Sequence, residues 1–191
     1  MSTAATVAGD ERLRLFLALE LPADVVAALA TWGERHLSGG RRVSVPHITL
    51  AFLGTQPRTA LDDVLRTLRA CAAEAVPFTL EAIRYRETRS VGMLVLDDPS
   101  GEATRLATAL HERLEALGLY RRERRPWLPH VTVLRFREPP RLRPPLPEIG
   151  PFVPSGAAAF LSRLSPSGAR YEVLESCALG VPESEGSKSG G

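Results

Sequence analysis

A six-residue frame occurs twice in this chain, and it constrains the fold more than any other feature of the sequence. Val45-Pro46-His47-Ile48-Thr49-Leu50 matches Leu128-Pro129-His130-Val131-Thr132-Val133, every position agreeing in identity or chemical type. A frame repeated in both halves points to two related lobes, each contributing one strand. In an extended chain the side chains at i and i+2 share a face. His47 therefore shares a face with Thr49, and His130 with Thr132. If the two strands lie side by side about a pseudo-twofold axis, two imidazoles and two hydroxyls line one cleft.

The rest of the chain alternates strand and helix patterns. Residues 13–19 read as a strand. Pro22 opens a helix to about residue 37, with Asp24 at its positive end. Gly39-Gly40 breaks that helix, and residues 43–53 read as a strand ended by Gly54. Residues 59–75 carry a helical stripe through Leu61, Val64, Leu65, Leu68 and Ala72. Residues 78–86 and 91–96 read as two strands paired antiparallel. Ser100 is the expected N-cap of a helix over 103–117, which Gly118 closes. Residues 130–136, 157–164 and 171–179 complete the strands, the last two flanking a Pro166-Ser167-Gly168 turn. Residues 139–154 hold too many prolines for a central strand or a helix interior. The expected organisation is a leader over 1–10, one domain over 11–181 and a Ser/Gly/Glu-rich tail over 182–191, neither end being structured.

Two histidines and two hydroxyls in one cleft suit phosphodiester cleavage. Displacement at phosphorus needs a base on the attacking oxygen and an acid on the leaving oxygen, on opposite sides of the phosphorus. Imidazoles titrating near neutrality can serve as both. Threonine hydroxyls can donate to the non-bridging oxygens. One His-x-Thr alone would be read as an ordinary strand histidine, but a core histidine has no reason to recur in one frame in both halves. The remaining two histidines, His36 and His111, sit in helices without matching contexts and are expected at the surface.

Other chemistries find no support. There is no HExxH or CxxC pattern, so no metal is expected. There is no GxxxxGK[ST] loop or GxGxxG fingerprint, and no cofactor is expected. Cys71 and Cys177 sit in apolar contexts and read as buried thiols. No apolar run is long enough for a membrane span and no secretory leader is visible, so the expected setting is the cytoplasm, as a monomer. The formal net charge of +2 gives no general basic field for nucleic acid. The cations are nevertheless 23 Arg against a single Lys, Lys188. Arg grips phosphate with a planar fork, although codon usage is the ordinary source of such a bias. Within the 121–125 run, Arg124 and Arg125 precede Trp127 and His130 and are candidate RNA contacts with Trp127. Phe52 is a stacking candidate, but core packing is the better expectation. Arg135, three residues past Thr132, falls on the opposite strand face unless a bulge intervenes.

At these residues the sequence resembles the two-histidine phosphoesterase superfamily, and within it the RNA 2′,3′-cyclic phosphodiesterases, also called 2′-5′ RNA ligases. Arg14-Leu15-Phe16-Leu17-Ala18-Leu19 with Leu21-Pro22 looks like the opening strand, and His47-Ile48-Thr49-Leu50-Ala51-Phe52-Leu53-Gly54 like the first motif. Arg125-Pro126-Trp127-Leu128-Pro129-His130-Val131-Thr132 with Arg135 looks like the second motif. Ser162, Leu164, Pro166, Gly168-Ala169 and Tyr171 look like the closing hairpin. The resemblance implies an α+β fold of two pseudo-symmetric lobes, with antiparallel sheets facing a central cleft and helices outside. It implies metal-independent hydrolysis of a terminal RNA 2′,3′-cyclic phosphate to a 2′-phosphate. His47 would protonate the leaving 3′ oxygen and His130 would activate water. Thr49 and Thr132 would hold the phosphate, with Arg135 in reach. Ligation would be the reverse chemistry, with a 5′-hydroxyl replacing water. Two alternatives remain: a phosphodiesterase of small cyclic nucleotides, and a non-catalytic RNA-binding module on the same fold.

Overall fold

The computed structural model describes residues 11–165 and 168–180. The expected leader, the expected tail and the centre of the 166–168 turn lie outside the described residues. Eight strands among them form two four-stranded antiparallel sheets. The first sheet contains β1 (Arg12–Glu20), β3 (His47–Pro57), β7 (Gly156–Ser165) and β8 (Gly168–Cys177), in the order β3-β1-β7-β8. The second contains β2 (Arg41–Arg42), β4 (Glu81–Glu87), β5 (Val91–Asp97) and β6 (His130–Arg135), in the order β2-β6-β5-β4. β3 and β6, one from each sheet, pack against one another.

The helices are α1 (Ala23–His36), α2 (Leu61–Glu74), preceded by a 3-10 turn at Arg58–Ala60, and α3 (Glu102–Ala116). α1 sits on the second sheet, with the Trp32 ring edge-on to Tyr85 of β4. α2 packs on β7 and β8 and alongside α3, which also meets β3. One apolar core runs through all three helices and both sheets, with Leu17, Leu19, Ile48, Leu94, Leu110 and Leu134 fully buried. No helix among the described residues is long and apolar enough to cross a membrane.

The strand expected over 43–53 starts later, at His47, and a separate short strand precedes it. Arg41 and Arg42 pair with β6 in the second sheet, and the chain then crosses to the first sheet before β3 begins at His47. Val43 still donates its N–H to the Val133 carbonyl (3.0 Å), but Pro46 has no N–H to continue a ladder. Gly54 does not end the strand. It takes φ +65° inside β3, opposite Leu15, where a residue with a Cβ would be strained. Ser100 does not sit at the N-cap position, which Gly101 occupies. The Asp98 carboxylate instead accepts the Thr104 N–H at 2.9 Å.

The proline-rich stretch is a strap over the second sheet. Glu87 accepts the backbone N–H groups of Arg141 and Leu142 (2.9 and 2.8 Å). The Trp32 indole donates to the Pro145 carbonyl at 2.9 Å, and Leu80 bridges Phe152 in both directions. Side chains and one bridge thus supply the bonds that prolines cannot.

Candidate active site

Both histidines open their strands directly after a proline, and both are locked in the same way. His47 Nδ1 lies 2.9 Å from the Val45 carbonyl, and His130 Nδ1 lies 2.8 Å from the Leu128 carbonyl. A carbonyl can only accept, so each Nδ1 carries the proton and donates it two residues back. The intervening proline has no N–H to offer a ladder and holds the preceding residue extended, which aims its carbonyl. Each Nε2 is left free to exchange a proton with a bound molecule. The Thr49 and Thr132 hydroxyls also have no protein hydrogen-bond partner among the described residues.

The repeat extends beyond its six residues, into a bulge. In β3, Ala18 faces Thr49 and Leu17 faces Ala51, so Leu50 is an extra residue. In β6, Met93 faces Thr132 and Gly92 faces Leu134, so Val133 is an extra residue. Each bulge comes one residue past the threonine and returns the fifth residue after the histidine to the histidine's face. Those residues are Phe52 and Arg135. Arg135 therefore does reach the cleft, through the bulge that plain alternation requires. Phe52 is not core. It is 48% exposed, with the Arg14 guanidinium 4.9 Å from its ring centroid.

The two imidazoles differ in surroundings. His47 has aromatic neighbours: Phe16 and Phe160 with centroids at 5.0 and 5.8 Å, and Tyr171 edge-on at 5.5 Å. Its burial disfavours the imidazolium and lowers its pKa below the usual 6.5, which the bond to the Val45 carbonyl opposes. The charges of Arg135 and His130 lower it further.

The cleft has two chambers that share Thr49 and Phe52. One, of about 490 Å³, has His130, Trp127, Tyr120, His111, Arg86, Arg122 and Arg125 in its wall. The other, of about 390 Å³, has His47, Arg14, Arg41, Arg135 and Tyr171. Thr132 lies half-buried between His130 and Arg135 on β6, outside both walls. Of the candidate RNA contacts, Arg125 and Trp127 line the first chamber and Arg124 does not. Trp127 is tied down as well, its indole N–H donating to the Thr49 carbonyl at 2.9 Å, which fastens the second lobe to the first motif. His111 is buried rather than at the surface (7% exposed), bonded to the Leu50 carbonyl at 2.7 Å and stacked on Tyr120. Cys71 is buried as expected, whereas Cys177 is half-buried. Among the described residues no three His, Cys, Asp or Glu side chains group as a metal site requires.

Two antiparallel sheets with paired His-x-Thr strands between them define a two-histidine phosphoesterase fold. The family model described as the 2′-5′ RNA ligase superfamily matches residues 20–165, and the chain belongs to that superfamily. A relative from Thermus thermophilus, named RNA 2′,3′-cyclic phosphodiesterase, is 31% identical over 87% of this chain and 90% of its own length. One from Escherichia coli with the same name is 32% identical over 66% of this chain and 73% of its own. Among solved structures, TT0787 of Thermus thermophilus superposes with a TM-score of 0.75 at 29% identity, covering 90% of this chain and all of that one. Escherichia coli LigT complexed with 3′-AMP superposes at 0.76 and 24% identity, covering 88% of this chain and 99% of that one.

Proposed function

We propose that this chain is an RNA 2′,3′-cyclic phosphodiesterase that hydrolyses a terminal cyclic phosphate to a 2′-phosphate without a metal, and that His47 and His130 are its acid and base. The observation that carries this is the matched pair of Nδ1-to-carbonyl bonds, which leaves one proton-exchanging nitrogen on each strand of one cleft. The names and lengths of the relatives support the substrate.

In the hydrolytic direction His130 Nε2 takes a proton from water as the oxygen attacks phosphorus. The bond from phosphorus to the 3′ oxygen breaks, and His47 Nε2–H delivers its proton to that oxygen. Aromatic walls make the His47 imidazolium unstable and so a strong acid, and the negative charge of the incoming phosphate promotes its protonation in the complex. Thr49, Thr132 and Arg135 hold the non-bridging oxygens. Ligation would use this same step rather than its reversal: a 5′-hydroxyl in place of water attacks the cyclic phosphate, the bond to the 3′ oxygen breaks, and the phosphorus on the 2′ oxygen is joined to the second RNA as a 2′-5′ linkage.

Turnover of an oligoribonucleotide ending in a 2′,3′-cyclic phosphate, in excess chelator, tests the reading. The wild type should release a 2′-phosphate with kcat/KM bell-shaped in pH, and His47→Ala and His130→Ala should each lose roughly 10²- to 10⁴-fold. A substrate with sulfur in place of the 3′ oxygen needs no proton on its leaving group. It should rescue His47→Ala and not His130→Ala. Activity lost in chelator and restored by a divalent cation would refute the metal-free reading.

A further inference from the structure

The chamber that holds His47 opens into a further groove of about 290 Å³, with Arg41, Arg135, Ala169 and Tyr171 common to both. Arg170 extends the wall, which contains no carboxylate. Two cross-strand contacts here are unfavourable for folding. Arg41 sits opposite Arg135 across β2 and β6, and Arg163 sits opposite Arg170 across β7 and β8. Like charges in directly opposed positions destabilise a sheet. Arg163 is compensated by Glu172 at 3.3 Å. Arg41, Arg135 and Arg170 have no carboxylate partner among the described residues, although many arginines elsewhere in the chain do. No carboxylate among the described residues offsets these three charges, and all three line the same groove.

We infer that this groove binds the phosphodiester backbone of the RNA next to its cyclic end, and that the enzyme therefore selects polynucleotide ends over cyclic mononucleotides. The inference rests on the proposed activity and names the substrate class for the same site. With the terminal phosphate between the histidines and beside Arg135, the next phosphate along the chain meets Arg41 and Arg170. A cyclic mononucleotide has no such phosphate and gains nothing from them.

Two measurements test this together. The first is the affinity of a fluorescent oligoribonucleotide ending in a 2′-phosphate, read by anisotropy over a salt series. The second is the ratio of kcat/KM for an oligoribonucleotide 2′,3′-cyclic phosphate to that for the matching nucleoside 2′,3′-cyclic phosphate. For two backbone contacts the slope of log affinity against log salt is about −1.4, so a fourfold rise in salt weakens binding about sevenfold. Arg170→Gln should weaken binding roughly fivefold, flatten the slope by about 0.7 and lower the kcat/KM ratio in parallel, and Arg41→Gln/Arg170→Gln should do so further. Unchanged affinity and slope in both variants would overturn the inference, as would a wild-type ratio near one. Absence of turnover on both substrates would instead overturn the proposed activity, while the anisotropy series still decides whether the groove holds RNA.

Discussion

Replacing His111 with leucine should destabilise this protein far more than its place on a helix surface pattern implies. Leu50 is the extra residue of the β3 bulge, so the ladder with β1 is broken at its carbonyl. His111 supplies the missing donor, its Nε2 2.7 Å away. The ring also stacks on Tyr120, centroids 4.6 Å apart and planes 22° from parallel. Leucine fills the space but leaves the buried carbonyl unpaired, a cost of about 1–3 kcal/mol. Loss of the stack adds about 0.5–1.5 kcal/mol. The expected total is about 2–4 kcal/mol, which for a chain of this size lowers Tm by roughly 10 °C. Urea denaturation should show a lower midpoint at unchanged m. His111→Phe keeps a stacking ring and still strands the carbonyl, and His111→Gln keeps a donor, so the two separate the contributions. A His111→Leu protein within about 0.5 kcal/mol of wild type would refute the reasoning, since that is the range of surface substitutions.

His47 should write itself into the pH dependence of stability. Its folded pKa is lowered from 6.5, first by burial. Above that pH both states hold it neutral and it contributes no pH dependence. As pH falls below 6.5 the unfolded chain binds a proton that the folded chain resists, so stability drops until pH passes the folded value. His47→Phe should flatten that acid limb in denaturation midpoints measured against pH, and an identical limb in the variant would contradict the burial argument. Glu87→Ala should release the proline-rich strap by stranding the Arg141 and Leu142 N–H groups, at a cost of about 1–3 kcal/mol. Proteolytic cuts between residues 139 and 151 should then appear faster than in wild type, and an unchanged cutting rate would show that other contacts hold the strap.

Much of this architecture is legible in the repeat and in hydrophobic periodicity. The three helices and most strands fall close to where their patterns place them, because each buries a regular stripe against one core. Alternation fails where the chain leaves its period. Neither bulge is marked by glycine or proline, so nothing local announces Leu50 or Val133. There is a signal all the same: Leu50-Ala51 and Val133-Leu134 are doubled apolar residues where a half-buried strand should alternate, and each doubling precedes a residue suited to a cleft. Simple alternation puts Phe52 and Arg135 in the wrong environments for that one reason. His111 departs from expectation differently. It lies four residues after Ala107 and three before Leu114, on the buried stripe of α3, so its spacing is the better guide to its burial than its polarity.

A duplicated motif poses a problem that its symmetry cannot solve. In the reaction proposed above, acid and base begin in opposite protonation states, yet identical frames would give identical imidazoles. The structure breaks the equivalence outside the repeated residues. Phe16 and Phe160 from the first sheet's central strands, with Tyr171 beside them, enclose His47, and no aromatic ring contact of that kind is made by His130 among the described residues. At the position each bulge turns inward, one motif supplies the cation Arg135 and the other the ring of Phe52. Environments that drive two titratable groups apart are how one site runs acid and base chemistry at a single pH. The repeat therefore supplies the parts, and the non-repeated neighbours from β1, β7 and β8 make the two imidazoles unequal.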